Sequence, residues 1–226
     1  MLNKGLVYEE KIREILVAKK LLPPALIAQL RPTQNDAAFV HKGKNYFLEL
    51  KNATAPDYGA KKIIYSTMAN RWKWNEVDDM SKLFDKLGIL QKAKTFVPRK
   101  HVKPDRSITK KDKEYDLRNF ANKITESDLS ISNLGISGAS ILHKYYAKKD
   151  CFYIQIEGKG FYYLLKDPAK LGVPQFMPEV VFRLRAKTHS SSDTANYSFR
   201  VVLTASRRSF ADSPFDMDNP TRFPSL

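Results

Sequence analysis

Apolar and polar positions along this chain follow two periods, and the change from one to the other marks its elements. Between residues 4 and 20 Leu6, Tyr8, Ile12, Ile15 and Leu16 recur at helical spacing, which places them on one face of an amphipathic helix. At roughly 100° per residue, Glu9 stands about 60° from Ile12 and Glu10 about 160° from it. Glu9 therefore borders the packed face, and Glu10 points to water. Pro23-Pro24 stops this helix, and Ala25 to Leu30 adds a helical turn before Pro32. The period then drops to two. Ala37 to His41 is apolar and extended, Lys42-Gly43-Lys44 is a turn, and Asn45 to Lys51 alternates, so the stretch reads as a hairpin. Tyr46, Leu48 and Leu50 go to one face of its second strand; Phe47, Glu49 and Lys51 go to the other.

Helical spacing returns over Glu76 to Lys94 through Val77, Met80, Leu83, Phe84 and Leu87, with Asp78 and Asp79 in the first turn. Lys92 to Lys113 is rich in basic residues and interrupted by Pro98 and Pro104, which predicts a long loop. Asp116 to Glu126 reads as helical, Asp128 to Gly138 as turn-rich, and Ala139 to Lys148 as a helix with Ile141, Leu142, Tyr145 and Tyr146 apolar. From Cys151 the pattern is mostly β, and an antiparallel arrangement is expected. Cys151 to Glu157 and Phe161 to Leu165 flank a Gly158-Lys159-Gly160 turn, and Glu179 to Thr188 and Ala195 to Ala205 form a second hairpin. The proline-containing tail from Ser209 is expected to lie irregularly on the surface. The length of 226 residues fits a single domain. Within it, residues 1–90 form a core, 91–138 a basic insertion, 139–208 a β-rich part and 209–226 the tail.

Charge changes the picture more than size does. Lys and Arg number 39 against 24 Asp and Glu, a net charge of +15, with a pI near 9.7. Such an excess points to a polyanionic partner, nucleic acid or an anionic surface. No apolar run approaches the ~18 residues of a membrane span, and no signal peptide is visible. The single cysteine, Cys151, excludes an internal disulfide framework and fits a reducing cytoplasm. No phosphate-binding Gly-Lys loop, zinc-type cysteine pair, paired-histidine zinc helix or serine-nucleophile elbow occurs.

The candidate chemistry lies in the hairpin. Glu49 and Lys51 stand side by side on one face of an otherwise apolar strand, where charge is costly without a partner or a task. Asp36 enters at the start of the partner strand, so two carboxylates and a lysine converge at one end of a small sheet. Phosphodiester hydrolysis requires such a set. A hard cation neutralises phosphate and acidifies water; Mg²⁺ takes one or two carboxylates plus waters and phosphate oxygens; a lysine beside it orients or deprotonates the water.

Asp36 followed by Glu49-Leu50-Lys51 resembles the motif of the PD-(D/E)XK nucleases, with Asn35 where the motif has proline. Gly5 to Glu9 looks like the opening helix of many of these enzymes. Ala55-Pro56-Asp57-Tyr58-Gly59 is similar to the segment after the motif strand in several type II restriction endonucleases. The likeness is strongest over residues 5 to 75. It implies an α/β (α+β) fold with a central mixed sheet flanked by helices, and hydrolysis of duplex DNA to leave 5′-phosphates. It implies a Mg²⁺ site held by Asp36, Glu49 and the Leu50 carbonyl, with Lys51 positioning the water. Glu9 is an auxiliary ligand, in some members through a metal-bound water, or else a helix charge paired with Arg13. The family setting further implies a homodimer, a prokaryotic cytoplasm and a separately encoded cognate DNA methyltransferase.

Several basic residues are candidate DNA contacts. Lys61, Lys62, Arg71 and Lys73 interleave with Tyr65, Trp72 and Trp74, a pattern that suits phosphates and bases, although the tryptophans read better as core anchors. Lys110 and Lys111 belong to the basic loop and suit phosphate contact. Arg183, Arg185 and Lys187 share one face of their strand with Val181 and suit a DNA groove; Arg200, Arg207 and Arg208 extend that surface. Two alternatives stand beside the restriction enzyme: a structure-specific repair or recombination nuclease of the same superfamily, and a non-catalytic nucleic-acid-binding protein.

Overall fold

The structure, a computed structural model, describes residues 4–27, 35–53, 57–66, 68–86, 88–93, 97, 99, 108–124, 129–130, 138–188, 197–205 and 208–226. The chain folds as two compact units interleaved in sequence. The first comprises Met1–Pro56, Ser137–Glu179 and Ala205–Leu226; the second comprises Asp57–Ile136 and Val180–Thr204. The consecutive segments expected from the sequence do not follow these limits, because each unit is closed by strands distant in the chain.

The first unit is built on a four-stranded sheet ordered β1-β2-β6-β7, with β1 Ala37–His41, β2 Lys44–Lys51, β6 Cys151–Ile156 and β7 Gly160–Tyr163. β1 pairs antiparallel with β2, β2 parallel with β6, and β6 antiparallel with β7, so the sheet is mixed. The fold class is α+β. Local sequence dictates the hairpin: Lys42 and Gly43 both adopt positive φ, 49° and 72°, as a two-residue turn between twisted strands requires. On one sheet face Ala37, Phe39, Leu48 and Tyr153 are buried under helix α1, Lys4–Ala18, which inserts Tyr8, Ile12 and Leu16. Leu6, expected on that buried face, is 58% exposed; it lies in the first helical turn, before the helix meets the sheet. A short helix α2, Pro24–Ile27, comes next and buries Leu26.

The β-rich C-terminal part is not uniformly antiparallel, and it does not form one sheet. β6 enters beside β2 in parallel, while the second expected hairpin belongs to the other unit. Nor does the tail merely lie on the surface. Gln155, fully buried in β6, donates through Nε2 to the Tyr8 hydroxyl (3.1 Å) and to Asp216 (2.7 Å), and accepts from the Met217 amide (3.1 Å). Met217 is thereby drawn into the interior, and Ser213 is held there by the Tyr162 hydroxyl and the Phe161 carbonyl. Gly160, at φ +107°, lets the tail approach: a Cβ there would collide with the Phe215 carbonyl oxygen and lie 2.8 Å from Ser213 Cβ.

The second unit carries a five-stranded sheet ordered β4-β3-β9-β8-β5, with β3 Asp57–Ser66, β4 Arg71–Trp74, β5 Leu129–Ser130, β8 Val180–Thr188 and β9 Tyr197–Ala205. Trp72 and Trp74 are core anchors. The first meets Tyr65 and Phe199 edge-on; the second packs on Phe84 and donates to Asp85 at 2.7 Å. The helix expected over Glu76 to Lys94 is two: α3 Asp79–Lys86 and α4 Ile89–Ala93, broken at Gly88 with φ +69°. Val77 precedes the first of them and is exposed. Helix α5, Lys110–Ile124, starts six residues before the expected Asp116. Thr109 caps it reciprocally with Asp112: the Thr109 amide and hydroxyl donate to the carboxylate, and the Asp112 amide donates back to the hydroxyl.

Candidate active site

β2 delivers Glu49 and Lys51 to the face of the first unit's sheet opposite Leu48 and Leu50, as the period of two requires. Helix α6, Gly138–Ala147, packs beside β6 and buries Ile141, Leu142 and Tyr146. Glu49 is 6% exposed. Its Oε1 accepts from the Lys51 ammonium and, at 3.1 Å, from the Tyr146 hydroxyl. The end of β2 is fixed by the parallel ladder continuing past it. The Glu157 amide donates to the Lys51 carbonyl at 2.8 Å, and the Glu157 carboxylate accepts from the Ala53 amide at 2.7 Å.

Asp36 stands one residue before β1. Its Oδ2 accepts from the Leu50 amide at 2.9 Å. In an extended strand the amide and carbonyl of one residue project toward the same neighbour, so the Leu50 carbonyl faces the edge that Asp36 occupies. Asn35, at the motif's proline position, is buried and donates to the Lys149 carbonyl at 3.4 Å. It ties the approach to β1 to the chain just after α6. Arg13 of α1 closes the set: Nε donates to the Asp36 carbonyl at 2.8 Å, and Nη2 pairs with Glu9 at 3.3 Å. Glu9 is partly buried, while Glu10's side chain is 68% exposed and only brushes Arg13 at 3.8 Å.

Electrostatics couples these groups. Burial pushes the Glu49 carboxyl above its ordinary range; the Lys51 charge opposes this and Asp36 adds to it. Burial likewise raises Glu9, and Asp36 raises it further against Arg13 and Lys51. Negative charge gathered in this way would be relieved by a cation placed among the carboxylates. Asp36 and Glu49, with the Leu50 carbonyl, form a hard-oxygen set of the kind Mg²⁺ takes when water and phosphate complete its shell. Among the described residues no three His, Cys, Asp or Glu side chains gather closely enough to hold a metal ion. Glu9 is held by Arg13.

The basic candidates fall elsewhere in the chain. Lys61 is ion-paired with Asp78, and Lys62 is exposed opposite Arg200 on β9. Together with Ala60, Asn75 and Glu76 these residues line a cavity of about 220 Å³ in the second unit. Lys110 and Lys111 are exposed but helical, in the first turn of α5, so the basic stretch is not irregular throughout. Most of 94–107 lies outside the described residues, as do Arg207 and the side chains of Arg183, Arg185 and Lys187 on β8; Arg208 is exposed. The sequence does not disclose Tyr146 as a site residue, because it reads only as an apolar position of its helix. Arg13 is visible there as a partner of Glu9, but its bond to the Asp36 carbonyl is not.

No family model matches the chain, and no curated protein matches it in sequence. Among solved structures it is similar to one described as HhaI endonuclease in complex with DNA. The match has a TM-score of 0.38 and 10% identity, and covers 91% of this chain and 87% of that one. Among the described residues no helix is long and apolar enough to cross a membrane.

Proposed function

We propose that the chain is a Mg²⁺-dependent endonuclease of duplex DNA, acting at a defined sequence as type II restriction enzymes do. One observation carries the reading: a buried carboxylate (Glu49) in contact with a lysine, beside a second carboxylate (Asp36) bonded to the residue between them. Asp36, Glu49 and the Leu50 carbonyl would hold the cation. Bound there, it would neutralise the phosphate oxygens and lower the pKa of a water.

The protein's own groups do the rest. Lys51, fixed by Glu49, presents its ammonium to the attacking water and to the charge gathering on the phosphoryl oxygens. The water oxygen bonds to phosphorus and the 3′ oxygen departs with a proton, leaving a 5′-phosphate. Arg13 steadies Asp36 through its carbonyl, and Glu9 receives a proton or orients a water at the rim. The net charge of +15 supports a polyanionic substrate. The exposed Lys62, Lys110 and Lys111 and the β8 residues Arg183, Arg185 and Lys187 are the candidate contacts, with Lys61 freed from Asp78 on binding. A dimer acting on both strands, a prokaryotic cytoplasmic setting and a companion methyltransferase belong to the same reading.

The test is incubation of supercoiled plasmid with the protein in Mg²⁺ and in EDTA, with sequencing of the ends. Discrete linear products in Mg²⁺ alone, with 5′-phosphates at one recurring sequence, are expected. Binding without cleavage makes the protein a nucleic-acid-binding module, and cutting only at branched substrates makes it a structure-specific nuclease.

A further inference from the structure

Glu49 receives two donors from different parts of the chain, and both meet the same oxygen. Lys51 lies two residues away on the same strand face; Tyr146 comes from α6, 97 residues along the chain. Tyr146 is fully buried, and its ring stacks edge-on against Tyr145 at 5.1 Å between centroids. Its backbone is fixed in a helix that packs on β6, the strand paired with β2. The hydroxyl is therefore held by packing and is not a side chain free to follow Glu49.

A carboxylate beside a single lysine can turn so that both oxygens face the ammonium. A second donor on Oε1, rigidly placed and approaching from another element, fixes the rotation of the carboxylate. We propose that Tyr146 is the positioning residue that pins Oε1 of Glu49 and so keeps Oε2 for the cation shared with Asp36. This rests on the metal-dependent reading given above. Tyr146 touches neither water nor phosphate in this role; it acts through Glu49. Groups that orient a metal ligand typically change metal affinity or activity by about 10- to 100-fold when removed.

Calcium binding to the DNA-free protein tests this without turnover. Calorimetric titration with Ca²⁺ is compared for wild type, Tyr146→Phe, Tyr145→Phe, Glu49→Gln and the Tyr146→Phe/Glu49→Gln double variant, with thermal unfolding in EDTA for each. Tyr146→Phe keeps the buried ring and should lower Ca²⁺ affinity about tenfold or more. Its EDTA melting curve should stay cooperative. Tyr145→Phe, whose hydroxyl has no role here, should bind as wild type does. In the Glu49→Gln background, Tyr146→Phe should have no further effect, because the residue it acts through is already lost. Wild-type affinity in Tyr146→Phe overturns the inference and leaves the metal site standing. So does an undiminished effect in the Glu49→Gln background, which would make the tyrosine merely structural. Absence of Glu49-dependent Ca²⁺ binding in wild type overturns the metal site itself.

Discussion

The Leu50 amide donates to the side chain of Asp36 at 2.9 Å, so the first carboxylate of the site is registered on the strand that carries the second. On the proposed reading Asp36 has two separable roles, an acceptor for the backbone and a charge for the cation. Asp36→Asn retains an acceptor and loses the charge. The variant should fold, bind duplex DNA with near wild-type affinity and fail to cleave it in Mg²⁺. Plasmid cleavage beside a gel-shift titration measures both, and near-normal cleavage would remove Asp36 from the site.

Lys51 is bonded to Glu49, so its ammonium is placed before substrate arrives. Lys51→Ala should lower the single-turnover cleavage rate by about 10² or more, the usual scale for a positioned acid–base or electrostatic group. A rate within a few-fold of wild type would leave Lys51 as a partner of Glu49 and nothing more.

Glu9 and Glu10 are adjacent in sequence but differ in surroundings. Glu9 is raised by burial and by Asp36, while Glu10 is exposed. Glu9→Gln should slow cleavage by about tenfold, and Glu10→Gln should leave it unchanged. Equal small effects in a parallel rate assay would reduce Glu9 to the helix partner of Arg13.

The raised carboxyl of Glu49 also has a thermodynamic signature. Its folded value lies above the ordinary 4.5, so the folded protein holds this proton more tightly than the unfolded chain does. The stability this provides is full below the ordinary value and is lost as pH climbs through the raised one. Glu49→Gln has no proton to lose. In EDTA, the stability of Glu49→Gln relative to wild type should therefore grow as pH rises from about 4.5 upward. Urea unfolding of both proteins across that range measures it, and a constant difference would mean that Glu49 is not raised.

Much of this is legible in local pattern and some is not. The hairpin, the first helix and the placement of Glu49 and Lys51 on one strand face come from periods of two and 3.6, which depend only on near neighbours. The break at Gly88 is local too, since a glycine at positive φ after Lys86-Leu87 is an ordinary helix stop, but the apolar spacing runs through it and hides it. Contacts between distant segments are beyond such patterns. Tyr146 on Glu49, β6 in parallel beside β2, and Gln155 drawing in Asp216 and Met217 leave no periodic trace. The prolines of the tail suggest coil on the surface, whereas its burial arises from a partner 62 residues earlier.

Gly160 gives the tail its seat. Gly160→Ala places a Cβ against the Phe215 carbonyl at a φ of +107°, which L side chains avoid. A stability loss of roughly 1–3 kcal/mol is expected, with faster hydrogen exchange confined to 209–226 and the neighbouring β7. Wild-type exchange in the tail would show that the seat tolerates a methyl group.

The parallel pairing of β2 with β6 sets when the site can come into being. Glu49 stands opposite Ile154, and the tyrosine bonded to it lies only a few residues earlier. A nascent chain emerging N-terminus first has its hairpin long before it has the neighbour that buries the carboxylate. Pairings so far apart in sequence also form slowly, because a large loop must close before any contact rewards it. On the nuclease reading proposed above, this order of events would act as a safeguard: the half-made polypeptide carries every acidic and basic group of the hairpin before it has the strand and the tyrosine that complete the site around Glu49.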